Sequence, residues 1–202
     1  MEKSIILIFL FFTAFIAIAQ SDYQIGIQQE RDSINLVFGN SEESILNEAD
    51  LKDFQGIPFY SIDEKYRVKF YFRAINDGKE FEMKTTTSRL PVYKPYGELI
   101  FKIDDQSYTL TVFQSMDMLN TTGYEDYLFI PFTDKSSGEE SYGGGRYIDI
   151  RIDDLYNPEF YLDFNICYNP YCAYNDRYSC PIPPSDNYID IPILAGAKKW
   201  HD

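Results

Sequence analysis

The chain has 202 residues, 45% of them hydrophobic and 17% aromatic, and a formal net charge of −14 at pH 7. That length supports one domain with a sizeable core. Acidity of this order repels phosphate backbones, and no basic stripe offsets it, so no nucleic-acid partner is expected.

Met1 to Gln20 has the order of a secretory signal. Lys3 supplies the positive start, and Ile5 to Ile18 is an apolar run too short to span a bilayer comfortably. The small residues Ala17 and Ala19 point to cleavage after Ala19, and no cysteine stands at the junction to carry a lipid anchor. The expected organisation is a signal peptide over 1–19 and a single mainly-β domain over 20–202, periplasmic or secreted. No later stretch is apolar enough for a membrane span in the mature chain.

The domain opens with helical patterning. Tyr23 to Leu36 places apolar residues among Gln, Glu and Arg, with Gly26 as a weak point. A shorter helix is expected over Ser44 to Phe54, and Asn40 with Glu43 has the spacing of a capping box. Gly56 and Pro58 end this region. From Phe59 onward the pattern changes to strands. "YRVKFYFRAI" alternates, and "ELIFKID" and "SYTLTVFQ" flank a hairpin turn at Asp104-Asp105-Gln106. "DYLFIPF" reads as a buried strand ended near Pro131, and "RYIDIRI", "FYLDFN" and "NYIDIPIL" add three more. Short strands separated by turn residues predict a mainly-β fold. It is an antiparallel β-sandwich or β-barrel with one or two N-terminal helices.

Tyr142 to Asn187 is the unusual stretch. It holds all three cysteines and a triple glycine. Pro170, Pro181, Pro183 and Pro184 forbid a continuous helix or a central strand, while Asn and Asp side chains offer local turns. An ordered, irregular loop packed through its tyrosines is the expectation. The segments "GGGRYIDI", "DFN", "YNPYCAYNDRYSCPIPP" and "DN", in that order, resemble the signature of the family called domain of unknown function 1684. "FQGIPFYSIDEKYRV" and "LFIPFTDKSSGEESY" are similar to the same family, over roughly Leu51 to His201. The resemblance implies no particular activity; it marks this loop as the family's hallmark.

Cys172 and Cys180 enclose a short loop, and three readings stand: a disulfide, reduced packing cysteines, or two thiolates of a metal site needing further ligands. A cysteine nucleophile lacks a base, because His201 is the one histidine and lies at the C-terminus. The serine motif G-x-S-x-G, the P-loop and H-E-x-x-H are absent. Gly143-Gly144-Gly145 either turns backbone N–H groups toward an anion or makes a tight turn into a strand. Arg146 would then pair with an internal acid, Asp163. Strand alternation places Asp163 and Asn165 on one face, opposite Phe164.

The candidate ligand site therefore comprises Arg146, Asp163, Asn165, Tyr168, Asn169 and Asn187, with no metal or cofactor assigned and no catalytic residue singled out. The leading expectation is a non-catalytic module of the cell envelope whose partner is a small molecule. A carboxylate- or metal-dependent hydrolase using Asp163 and Asp186 is the alternative, and an assembly partner of an envelope protein, without a pocket, is the third.

Overall fold

The structure is a computed structural model that describes residues 21–201; the signal-like segment lies outside the described residues. Helix α1 (Asp22–Gly39) starts where the Ser21 side chain accepts the Gln24 N–H. It buries Ile27, Arg31 and Phe38 on one side. Helix α2 (Glu48–Asp53) is shorter than expected, and Asn47, not Asn40, caps it by accepting the Asp50 N–H at 2.9 Å. Asn40 instead ends α1, its backbone N–H bonded to the Val37 carbonyl.

The β part begins with β1 (Arg67–Val68), β2 (Phe70–Ala74) and β3 (Phe81–Glu82). The long hairpin of β4 (Val92–Ile103) and β5 (Gln106–Ser115) follows. Its turn holds Asp104 and Asp105 at φ 49° and 63°, the two positive dihedrals that a two-residue hairpin of the favoured twist requires. After a short helix α3 (Met116–Leu119) come β6 (Tyr127–Asp134), β7 (Arg146–Arg151), β8 (Leu162–Asp163) and β9 (Tyr188–Ile189). The main sheet runs β2-β4-β5-β6-β7, with β3 added to β4 and β9 added, in parallel, to β6. β1 and β8 form a separate two-stranded pair.

The fold is thus mainly antiparallel β, and the sheet is open, so the barrel is ruled out. Two expected strands shrink for local reasons. "FYLDFN" pairs only at Leu162–Asp163, because the Asp163 carboxylate accepts the Asn165 N–H at 2.8 Å and turns the chain into a 3-10 turn. The expected alternation across Phe164 therefore fails: Asp163, Phe164 and Asn165 are all buried. "NYIDIPIL" pairs only at Tyr188–Ile189.

Pro131 does not end its strand; β6 continues to Asp134. Proline has no N–H to give to β5, and β5 and β6 pair only at Phe113 and Phe129. Asn187 fills the gap beyond. Its Oδ1 accepts the Thr111 N–H at 2.8 Å, and its Nδ2 donates to the Thr111 and Pro131 carbonyls at 2.9 and 2.7 Å. One side-chain amide thus substitutes for the peptide group that the proline cannot supply.

Alternation along β6 and β7 creates two faces. Leu128, Ile130 and Phe132 with Ile148 and Ile150 enter the main core, which Leu99, Leu110, Leu162 and Phe164 complete. Phe129 and Tyr147 face the other way, in a smaller cluster with Met83, Tyr93 and Phe113. β4 serves both clusters because a bulge between Pro95 and Gly97 shifts its parity, so Tyr93 joins one and Leu99 the other. A third cluster, built on Phe38, Ile45, Leu46, Ile57 and Tyr174, packs the end of α1 against the C-terminal loops.

Candidate functional site

Between the Phe129–Tyr147 face of the sheet and the α1 cluster lies an open cleft of about 460 Å³. Ile34, Phe38, Ile57 and Phe59 line it from the α1 side, and Tyr93, Tyr127, Phe129, Tyr147 and Asp149 from the sheet. The hallmark loop supplies the remaining wall from Tyr168 to Pro181. That loop is anchored at both ends. Tyr168 pairs antiparallel with Tyr147 across the edge of β7. Farther on, the Thr86 N–H donates to the Cys180 carbonyl and the Ile182 N–H to that of Lys84, a short ribbon despite the prolines. The Tyr147 hydroxyl donates to the Pro181 carbonyl and fastens the wall to the sheet.

The aromatic rings meet edge to face. Phe129 and Tyr147 have centroids 4.7 Å apart at 77°, and Tyr147 and Tyr168 5.8 Å apart at 89°. Asp149 is set among them. Its Oδ1 accepts the Tyr127 hydroxyl at 2.8 Å and its Oδ2 the Tyr168 hydroxyl at 2.7 Å, yet the side chain remains open to solvent. Desolvation by the surrounding cleft raises the Asp149 pKa, against the two hydroxyls and Arg151, which favour the carboxylate. Burial likewise pushes the Tyr127, Tyr147 and Tyr168 phenols well up, with Asp149 adding to the shift at Tyr127 and Tyr168. These tyrosines are proton donors, not bases, at neutral pH. Asp149 forms no ion pair among the described residues.

Of the six residues expected to form the site, only Tyr168 and Asn169 line the cleft. Asn169 is 1% exposed; its Nδ2 donates to the Lys198 carbonyl at 2.7 Å, and its Oδ1 has no partner. The expected Arg146–Asp163 pair does not form. Arg146 is wholly buried, and its Nη2 donates to Asp134 Oδ2 at 2.9 Å and to the Ile193 carbonyl at 2.8 Å. Its Nη1 donates to the Ala195 and Ala197 carbonyls at 2.5 and 3.1 Å. The guanidinium fork thus clips the C-terminal segment to the sheet. Asp163 instead accepts the Tyr23 hydroxyl at 2.7 Å, joining α1 to β8. Asn165 holds the Asp63 backbone on both sides, Nδ2 to the carbonyl and Oδ1 from the N–H. Asn187 is the strand filler described above.

The glycine run is a turn, not an anion cradle. The Gly145 N–H donates to the Tyr142 carbonyl, and Gly145 has φ 86°, where a Cβ would meet the Phe132 carbonyl oxygen at 2.5 Å.

All three cysteines are free thiols, so the disulfide is not formed in this structure. Cys172 and Cys180 are neighbours: the Cys172 N–H donates to Cys180 Sγ at 3.1 Å. A hydrogen bond from the Cys180 thiol draws the Cys172 pKa down to about 6 and raises its partner's. Cys167 is fully buried and its pKa is pushed up to about 11 by that burial. Among the described residues no group of three or more His, Cys, Asp or Glu is placed to hold a metal ion. Neither Asp163 nor Asp186 lines the cleft, so the two acids named for hydrolysis do not converge there. No helix among the described residues is long and apolar enough to cross a membrane.

Asp149 escaped the sequence reading. The signal was available: in "RYIDIRI" an aspartate shares alternation with Tyr147, opposite Ile148 and Ile150.

Comparison with known proteins agrees with the hallmark loop. The solution NMR structure of an uncharacterized protein of Haloarcula marismortui is similar, with 30% sequence identity and a TM-score of 0.65. The match covers 88% of this chain and 94% of that one. No curated protein matches the chain. The family model described as "Protein of unknown function (DUF1684)" matches residues 52–198, and the chain belongs to that family.

Proposed function

We propose that the chain is a non-catalytic binding module that holds a small organic molecule in the cleft between α1 and the sheet. The observation that carries this is the combination of a largely aromatic wall with one solvent-reached carboxylate, Asp149, held by two hydroxyls. Small-molecule sites commonly have this make-up: apolar area for affinity, and a few fixed polar groups for orientation. The wall is pre-formed. Its rings are locked edge to face, and its loop is hydrogen-bonded to the sheet, so little ordering opposes binding. Export, as the Met1–Gln20 pattern indicates, would put this module in a periplasm or outside the cell.

The test is an NMR titration with small aromatic fragments, phenol and indole among them. Binding should shift the resonances of Tyr127, Tyr147, Asp149 and Tyr168 together. Ile34→Trp, which adds an indole to the α1 wall, should suppress those shifts. Fragments that leave all four residues unmoved would remove the basis for a ligand site.

A further inference from the structure

The lining of the cleft is asymmetric in its chemistry. Asp149 presents a carboxylate with two hydrogen bonds and no ion-pair partner among the described residues. Asn169 adds a buried amide oxygen without a partner. Both are acceptors. Tyr127 and Tyr168 spend their hydroxyl protons on Asp149, and Tyr147 spends its proton on the Pro181 carbonyl. Around them the rings of Tyr93, Phe129, Tyr147 and Tyr168 carry the negative potential of aromatic faces.

We infer that the ligand is an organic ammonium ion with an apolar, preferably aromatic, body. This rests on the reading of the cleft as a small-molecule site. An ammonium head supplies what the lining lacks, a positive charge and N–H donors, for Asp149. The apolar body matches the remaining wall. The net charge of −14 adds a long-range attraction for cations.

The charged neighbours are consistent with this. The cation acting on Asp149 is Arg151 from the same strand, and its guanidinium is engaged by Asp126 at 2.6 Å and by the Gly123 carbonyl at 3.0 Å. From β6 the carboxylate faces Tyr127, and from the hallmark loop Tyr168. Tyr93 on β4 lies between opposing influences, Arg89 on one side and Asp117 and Asp149 on the other. Arg89 is engaged elsewhere, donating to the Ser179 hydroxyl and carbonyl. Desolvation raises the Asp149 pKa, and a bound cation favours the ionised form, so the two oppose each other at this carboxylate. Affinity for a cation therefore falls as pH is lowered and the carboxylate takes up its proton.

The experiment compares 2-phenylethylammonium with its neutral counterpart 2-phenylethanol. Binding is followed by calorimetry and by the shifts of cleft resonances, in the full chain and in Asp149→Asn. The ammonium should bind at least about tenfold more tightly than the alcohol, a gap of about 1.4 kcal/mol. Asp149→Asn should erase the preference. In the unaltered chain the preference for the ammonium should weaken as pH is lowered, which keeps the test intact if the variant folds poorly. Equal binding of both compounds at every pH, with cleft shifts, would overturn the ammonium inference and leave the small-molecule cleft standing. Failure of both compounds to shift the cleft would overturn the inference and the cleft reading together.

Discussion

Arg146 and Asp149 lie three residues apart on β7 and face opposite sides of the sheet. The first is sealed in, with four hydrogen bonds from its two terminal nitrogens to Asp134 and to three carbonyls of the C-terminal segment. The second is open to solvent, held by two phenols and without an ion pair among the described residues. A charged group whose terminal nitrogens are all engaged by its own chain fixes the fold. A charged group left with spare capacity at the mouth of a cleft is available to something else. The contrast separates a structural half of the hallmark from the half proposed to bind, although both lie within "GGGRYIDI".

The contrast breaks most clearly through stability. Arg146→Ala leaves Asp134 buried and uncompensated and frees three carbonyls, and should cost about 3–5 kcal/mol in urea unfolding. Arg146→Lys should recover little, since an ammonium cannot reproduce the fork. Asp149→Asn should cost less than about 1 kcal/mol, because an exposed group contributes little. If the Asp149 variant were as damaging as the Arg146 variant, the cleft carboxylate would be a structural strut and the distinction would collapse.

Asn187 gives the next largest effect. Asn187→Ala leaves the Thr111 N–H and two carbonyls facing a gap that Pro131 cannot close, and should cost about 1–3 kcal/mol. Hydrogen exchange at the Thr111 amide should accelerate beyond the change seen at Leu99. Unchanged protection there would mean that the two strands close up without the filler.

These particulars show what could be read from residues alone. The hairpin at Asp104-Asp105, the alternation of β6 and β7 and the ordered loop of tyrosines and prolines follow from local chemistry, and they were legible. The partner of Arg146 was not. Asp163 and Asp134 are both acids near strand ends, and it is the β6–β7 register, Phe132 opposite Arg146, that sets Asp134 beside the guanidinium. The role of Asn187 was hidden for a similar reason, since it depends on a proline 56 positions earlier. Asp149 was concealed by its ordinariness: a polar residue alternating with isoleucines is what any half-exposed strand displays. It becomes a candidate only when Tyr127 and Tyr168, from separate segments, are seen to converge on it.

The smallest effect is also the most specific to the cleft. Asp149 has a native pKa raised above the ordinary 3.8, with desolvation as the main cause. Well below 3.8 the group is protonated in both the native and the unfolded chain and costs nothing. As pH rises through that value the unfolded chain ionises first, while the native state holds its proton. Native stability therefore falls across the window from 3.8 up to the raised value, and levels off above it. Asp149→Asn removes this titration. The stability of the unaltered chain relative to the variant should decline across the window, by less than about 1 kcal/mol because solvent reaches the carboxylate. Tyr168→Phe should extend the window upward, since it deletes a hydroxyl that favours the charged form. A relative stability that rose with pH would mean that Arg151 controls Asp149 after all, and would leave no uncommitted charge for an ammonium to meet.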